Sequence, residues 1–282
     1  MPARSPMSAP SCSSTRPCRW TIPSRFSGSR PMRPARDSAR TGPAEFGGRA
    51  LRKAYARRDV VNGVSLRVRR GAICGLLGPS GSGKSTIFRI LSGIERPDEG
   101  MVFHGDTNIT GLGIDARARL GVGYVQQSPD LFLSLTTREN LVIALEARGA
   151  AGRDIDHMLS VIARTFLLEE FLSAPVGTLS GGQRKLVEIG FSMCARPRFL
   201  LLDEPFAKLD PINVETICGR LRLLARAGVG ILLTDHKART ALALADHVNI
   251  IDDGIIVTSG PCSQVAASDI LRTVFLGESS TA

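Results

Sequence analysis

The sequence predicts an α/β fold built on a mainly parallel sheet, and three observations predict it. Short runs that are almost wholly apolar recur at 73–77, 122–125, 199–202, 231–233 and 248–251. Helical patterns lie between them; in 155–166 the residues Ile155, Met158, Leu159, Ile162 and Phe166 fall on one helical face. A glycine-rich loop follows the first apolar run and opens a helix. Strands that are apolar on both sides must be covered on both faces, which is the condition of a parallel sheet flanked by helices.

In chain order, residues 1–46 contain eight prolines and nine serines without apolar periodicity, so they are expected to form a disordered extension. This stretch is rich in Arg and Ser and poor in acids, a composition that mimics an organelle transit peptide; it lacks the apolar core of a secretory signal. The folded domain is expected over 47–282. Its opening part, about 49–73, reads as an antiparallel layer, in which 60–68 alternates like a half-buried strand around a turn. The stretch 128–182 reads as mostly helical between two strands of the core, hence as an inserted helical subdomain. No internal repeat is visible, so one copy of the α/β module is expected.

Composition narrows the function classes. The chain has 282 residues, 43% apolar and 22% charged, with mean hydropathy +0.06, enough for a substantial core. No apolar run approaches the roughly 18 residues that span a bilayer, so a membrane role requires a partner that does the spanning. The net charge of +10 is concentrated in residues 1–46, where eight Arg face two acids. The remainder is mildly basic, and no nucleic acid is expected as a partner. Six cysteines without a C-x-x-C or metal spacing point to reduced thiols in a cytosolic protein, with Cys74 and Cys194 as core fillers.

Gly78-Pro79-Ser80-Gly81-Ser82-Gly83-Lys84-Ser85-Thr86 fits G-x-x-x-x-G-K-[ST] and lies between a strand and a helix, as that motif requires. The glycines let backbone N–H groups close around phosphate oxygens, and the helix start adds a favourable dipole. Lys84 reaches β and γ phosphates and Ser85 suits Mg²⁺. Lysine is scarce here, five against 31 arginines, which makes a motif lysine informative. The run 199–202 ends in Asp203-Glu204, carboxylates at the strand end where open α/β sheets bind ligands. Asp203 suits Mg²⁺, and Glu204 is placed to polarise an attacking water.

Leu179-Ser180-Gly181-Gly182-Gln183 narrows the choice among NTPases. Ser180 and Gln183 form an S-x-x-Q capping box, and two glycines leave backbone N–H groups uncovered, which makes a second anion-binding helix end. One γ-phosphate does not need two such ends from one chain, so the second is expected to come from another copy.

These motifs together resemble an ATP-binding subunit of an ABC transporter, from about residue 49 to the end. The resemblance implies a P-loop NTPase (RecA-like) core with an antiparallel β layer and an inserted helical subdomain, binding ATP and Mg²⁺. Tyr55 matches the aromatic residue that stacks on adenine, 78–86 the Walker A loop, Gln127 the Q-loop glutamine and 179–183 the signature. Residues 200–203 match Walker B, Glu204 the catalytic base, Leu209-Asp210 the D-loop and His236 the switch histidine. Metal contacts fall by the same resemblance to Ser85, Gln127 and Asp203. Singly, Tyr55 also reads as a surface aromatic, Gln127 as a loop residue, His236 as a cap and Asp210 before Pro211 as a helix N-cap; their joint occurrence carries them. The resemblance further implies two copies sandwiching two ATP molecules head to tail, transmembrane permease subunits as partners, and a peripheral place on the cytoplasmic face of the inner membrane.

A finer resemblance is to the ATP-binding subunits of lipopolysaccharide exporters, carried by 115–124, 202–214, 233–242 and 274–278. Branched-chain amino-acid importers have closely related subunits and remain the alternative, with a soluble ABC ATPase behind them. The chain departs from the exporter pattern in three places. Lys208 stands where a small residue is usual, Leu133-Ser134 follows Leu131-Phe132 where basic residues are usual, and Ser80 and Ser82 replace Asn and Ala.

Overall fold

A computed structural model describes residues 45–56, 58–127, 131–236 and 238–267. The expected extension up to residue 44, and the stretch 274–278, lie outside the described residues. In chain order the strands and helices begin β1 (Glu45–Tyr55), β2 (Arg58–Arg69), β3 (Ile73–Leu77), α1 (Lys84–Ser92), β4 (Glu99–His104), β5 (Thr107–Asn108), α2 (Ile114–Arg119) and β6 (Val122–Val125). They continue α3 (Thr137–Ala147), α4 (Arg153–Phe166), α5 (Gly181–Cys194), β7 (Phe199–Asp203), α6 (Pro211–Arg226), β8 (Gly230–Thr234), α7 (Ala238–Leu244), β9 (His247–Asp252), β10 (Ile255–Pro261) and α8 (Cys262–Ala266).

Two sheets result. The order β2-β1-β4-β5 is antiparallel throughout, and β10-β9-β3-β8-β7-β6 is parallel except for the edge strand β10. The five apolar runs read from the sequence are β3, β6, β7, β8 and β9. All five residues of β3, β7 and β8 are buried. Alternate side chains feed two cores. Phe199, Leu201, Leu232, Cys74 and Leu76 face α1 and the antiparallel layer; Leu200, Leu202, Ile231, Leu233 and Leu77 face the cluster that includes α3 to α6.

Two sequence expectations are corrected. Phe46, counted with the extension, lies in β1 with no exposed surface, its ring 5.4 Å from that of Phe199. A composition window blurs such a boundary, whereas a single aromatic facing a core sets it. The alternation in 60–68 does not surround a turn either. β2 runs straight through Asn62-Gly63, where the register steps from Leu51↔Val64 to Arg52↔Asn62, so Gly63 is the extra residue of a bulge. Gly63 takes φ +73, and the Asn62 N–H donates instead to the Gly254 carbonyl at 2.8 Å. Between β6 and β7 lie α3, α4 and α5 with two short 3₁₀ turns. Of the face its periodicity predicted, α4 buries Leu159, Ile162 and Phe166 and half-buries Ile155 and Met158, and Ala163 joins them in the core.

Candidate functional site

Four neighbouring parallel strands, β3, β8, β7 and β6, end on one edge, and each delivers functional groups there. β3 leads into the glycine-rich loop and α1, β8 into Asp235-His236, β7 into Asp203-Glu204, and β6 into Gln126-Gln127. The carboxyl edge of such a sheet is open because helices cover its faces, not its ends.

The loop 78–83 is tight enough to demand its glycines. A Cβ on Gly78 would fall 2.0 Å from the Ile251 carbonyl oxygen, and one on Gly83, at φ +98, 2.5 Å from that of Val60. Gly83 caps α1 without a side-chain bond, leaving the first N–H groups of the helix for an anion. The Lys84 ammonium turns back and donates to the carbonyls of Gly78 at 2.9 Å and Pro79 at 2.6 Å. Burial lowers its pKa, while the charges of Glu204 and Asp203 pull the other way. It is a cation close to carboxylates without a direct ion pair among the described residues, so it is poised for further negative charge.

Asp203 ends β7 and is 5% exposed. The Tyr124 hydroxyl meets its Oδ2 at 3.4 Å and Ser85 also hydrogen-bonds it, but its Oδ1 is buried without a partner. Ser82 Oγ and Thr234 Oγ1 are likewise buried and unpartnered. Burial, then the charge of Glu204, raises the Asp203 pKa. Orphaned buried oxygens beside a helix start cost stability unless a ligand completes them, and this oxygen set fits a hard cation such as Mg²⁺ held by Ser85 and Asp203. Burial disfavours the charged carboxylate, and only the folded state bears that cost. Asp203→Asn is therefore expected to raise the melting temperature of the nucleotide-free protein by a few degrees while weakening Mg²⁺-dependent nucleotide binding. Thermal melts with and without Mg·ATP check this; a lower melting temperature without nucleotide would contradict it.

Glu204 follows in a left-handed conformation, φ +51. Its Oε2 accepts from Gln127 Nε2 at 2.8 Å, and its Oε1 lies 2.7 Å from His236 Nε2. The carboxylate side chain is 13% exposed and the imidazole 51%, so the carboxylate is sheltered and its neighbour is open to solvent. The structure thus joins Gln127, Glu204 and His236, three residues spread over 110 positions of sequence, into one cluster. Asp235 was missed in the sequence reading. Buried to 1%, it accepts the Phe206 N–H at 2.9 Å and so ties the loop after β7 to the end of β8. Only its place beside His236 could have drawn notice.

Tyr55 closes β1 with its ring 39% exposed. Its hydroxyl donates to Glu95 Oε2 at 2.5 Å and also meets the Thr86 side chain, which anchors the ring beside the start of α1. The Ser180 capping box forms as read. Ser180 Oγ accepts the Gln183 N–H at 3.3 Å, and Gln183 Oε1 accepts the Ser180 N–H at 3.0 Å. Asp210 caps α6 by accepting the Asn213 N–H at 2.9 Å, with Pro211 at the first helical position. Ser180, Gly181, Gly182 and Gln183 do not join the site around Lys84: no hydrogen bond or ion pair among the described residues links the two. Gly181 and Gly182 pack instead against Leu209 and Asn213.

The profile of the ABC transporter family matches residues 61–207. The chain belongs to the ABC transporter ATP-binding family. An uncharacterized ABC transporter ATP-binding protein of Rhizobium meliloti is 39% identical over 230 residues, covering 82% of this chain and 85% of that one. The lipopolysaccharide export system ATP-binding protein LptB of Escherichia coli K12 is 38% identical over 229 residues, 81% of this chain and 95% of that one. Among solved structures, a nucleotide-free ATP-binding cassette from an ABC transporter superposes with TM-score 0.75 at 26% identity, over 84% of this chain and 100% of the other. A dimeric cassette in a post-hydrolysis state with ADP and phosphate gives 0.69 at 26% identity, over 77% and 98%. This ABC ATP-binding subunit is thus a nucleotide-binding ATPase on a P-loop α/β core. Among its described residues no helix is long and apolar enough to cross a membrane.

Proposed function

We propose that this ABC ATPase powers lipopolysaccharide export, working as one of two head-to-tail copies on the cytoplasmic face of the inner membrane, beneath transmembrane permease subunits. The observation that carries the cargo is the set of LptB relatives, 37% to 38% identical over 81% of this chain and 95% of each relative. In this reading Tyr55 stacks on adenine, and Gly78, Pro79, Ser80, Gly81, Ser82, Gly83, Lys84, Ser85 and Thr86 hold the phosphates. The partner copy adds Ser180, Gly181, Gly182 and Gln183, and Asp210 lies at the interface. Mg²⁺ held by Ser85, Gln127 and Asp203 would neutralise charge between the β and γ phosphates.

Hydrolysis then rests on this chain's own groups. Glu204 orients and deprotonates a water in line with the β–γ bond, and its shelter from solvent strengthens that interaction. Gln127 and His236 each hold one oxygen of Glu204. These two contacts fix the orientation of the carboxylate that would hold the water. Exposed Phe132 and Leu133, 51% and 47% accessible beyond β6, offer an apolar surface for the permease.

The test is affinity capture from detergent-solubilised membranes of cells expressing the tagged protein, read by mass spectrometry. Two related permeases carrying large extracytoplasmic β-domains are the expected partners. Amino-acid importer permeases would replace the cargo with the branched-chain alternative. Recovery of an active ATPase with no membrane protein would overturn the transport reading as a whole.

A further inference from the structure

The loop between Glu204 and Asp210 carries a charge that the site described so far leaves unused. Lys208 is exposed and takes φ +58, a left-handed conformation that glycine adopts freely and that a lysine enters only against steric resistance. Of the five lysines, Lys53 pairs with Asp98, Lys84 binds the loop carbonyls and Lys185 pairs with Glu188, while Lys237 lies outside the described residues. No hydrogen bond or ion pair among the described residues holds the Lys208 ammonium. A scarce residue type thus occupies a strained position with its charge presented outward.

The neighbours of Lys208 fix what it can reach. A Cβ on Gly181 would lie 3.4 Å from Leu209 Cδ2, and one on Gly182 would lie 2.1 Å from the Asn213 side chain. Asp210 in turn holds both the N–H and the side-chain amide of Asn213. The loop bearing Lys208 is therefore clamped to the first turn of α5, the anion-binding helix end at Ser180. Lys208, next in sequence to Leu209, belongs to the loop that abuts that helix end.

We propose that Lys208 acts in trans, placing its ammonium on the polyphosphate of the nucleotide bound to the other copy's glycine-rich loop. This rests on the head-to-tail sandwich proposed above and adds a cation to it. A flexible four-carbon stem suits a point contact to phosphate rather than a fixed bidentate one. Its exposure leaves the ammonium free to meet a group on another molecule.

The test measures ATP-dependent dimerisation by sedimentation in a Glu204→Gln background, which keeps ATP intact. Lys208→Gly is expected to raise the dimer dissociation constant about tenfold at low salt, with the difference shrinking at high salt, and Lys208→Arg is expected to keep most of the affinity. Because glycine suits φ +58, the melting temperature of Lys208→Gly should hold or rise, which separates lost charge from lost fold. Equal or tighter dimerisation of Lys208→Gly would overturn the proposal and make Lys208 a brake on closure. If the parent does not dimerise with ATP, the sandwich reading itself fails and the trans contact falls with it, a result distinct from the first.

Discussion

Glu204→Gln is expected to cut ATP turnover by about 10² to 10⁴-fold, the range by which a positioned general base accelerates a reaction, while ATP binding persists. The substitution keeps the size of the side chain and removes its ability to take a proton. Its surroundings show why the charge matters. The carboxylate is 13% exposed, with Gln127 Nε2 2.8 Å from one oxygen and His236 Nε2 2.7 Å from the other. A glutamine offers one oxygen and one NH₂ to those two groups, so it can satisfy the Gln127 donor only by turning its NH₂ toward His236. Lys84 holds the loop carbonyls rather than Glu204, so the glycine-rich loop is left standing. Steady-state phosphate release and equilibrium ATP binding, measured on the same preparation, check both halves. Turnover within tenfold of the parent would mean that another group serves as base.

The parallel sheet was legible because strands buried on both faces leave nothing but apolar residues to write, as in Phe199-Leu200-Leu201-Leu202. The Ser180 and Asp210 caps were legible because capping is local, decided within three residues. What escaped was decided at a distance. Asn62-Gly63 has the chemistry of a turn, yet β1 pairs along the whole of β2 and the Gly254 carbonyl takes the freed N–H, so the pair becomes a bulge. Asp235 and Phe206 lie 29 positions apart and meet only because β7 and β8 are neighbours. The clustering of Gln127, Glu204 and His236 was implied by family resemblance, whereas their direct hydrogen bonds belong to the order in which β6, β7 and β8 lie in the sheet. Arg117 escaped most completely, because an arginine in an Arg-rich chain reads as surface.

Replacing Arg117 with methionine is expected to cost about 3–5 kcal/mol, because it leaves buried carbonyls without a donor at about 1–3 kcal/mol each. Arg117 is 1% exposed. Its guanidinium spends its donors on five backbone carbonyls, those of Leu112, Ile90, Leu91, Ile109 and Thr110, at 2.6 to 3.1 Å. Burial brings its pKa down to about 10, which still leaves it charged at neutral pH. Ile90 and Leu91 are in the last turn of α1, so the cation sits at the negative end of the helix whose other end carries the glycine-rich loop. Methionine fills the channel but leaves several buried carbonyls without donors, each costing about 1–3 kcal/mol where no water enters. For a domain of this size, about 2–4 °C accompany each kcal/mol, so the melting temperature should fall by about 6–20 °C. Arg117→Lys should recover only part of that, because three donors cannot serve five carbonyls. A fall of less than about 2 °C would show that water or local rearrangement satisfies the carbonyls, and Arg117 would then not be what closes the end of α1.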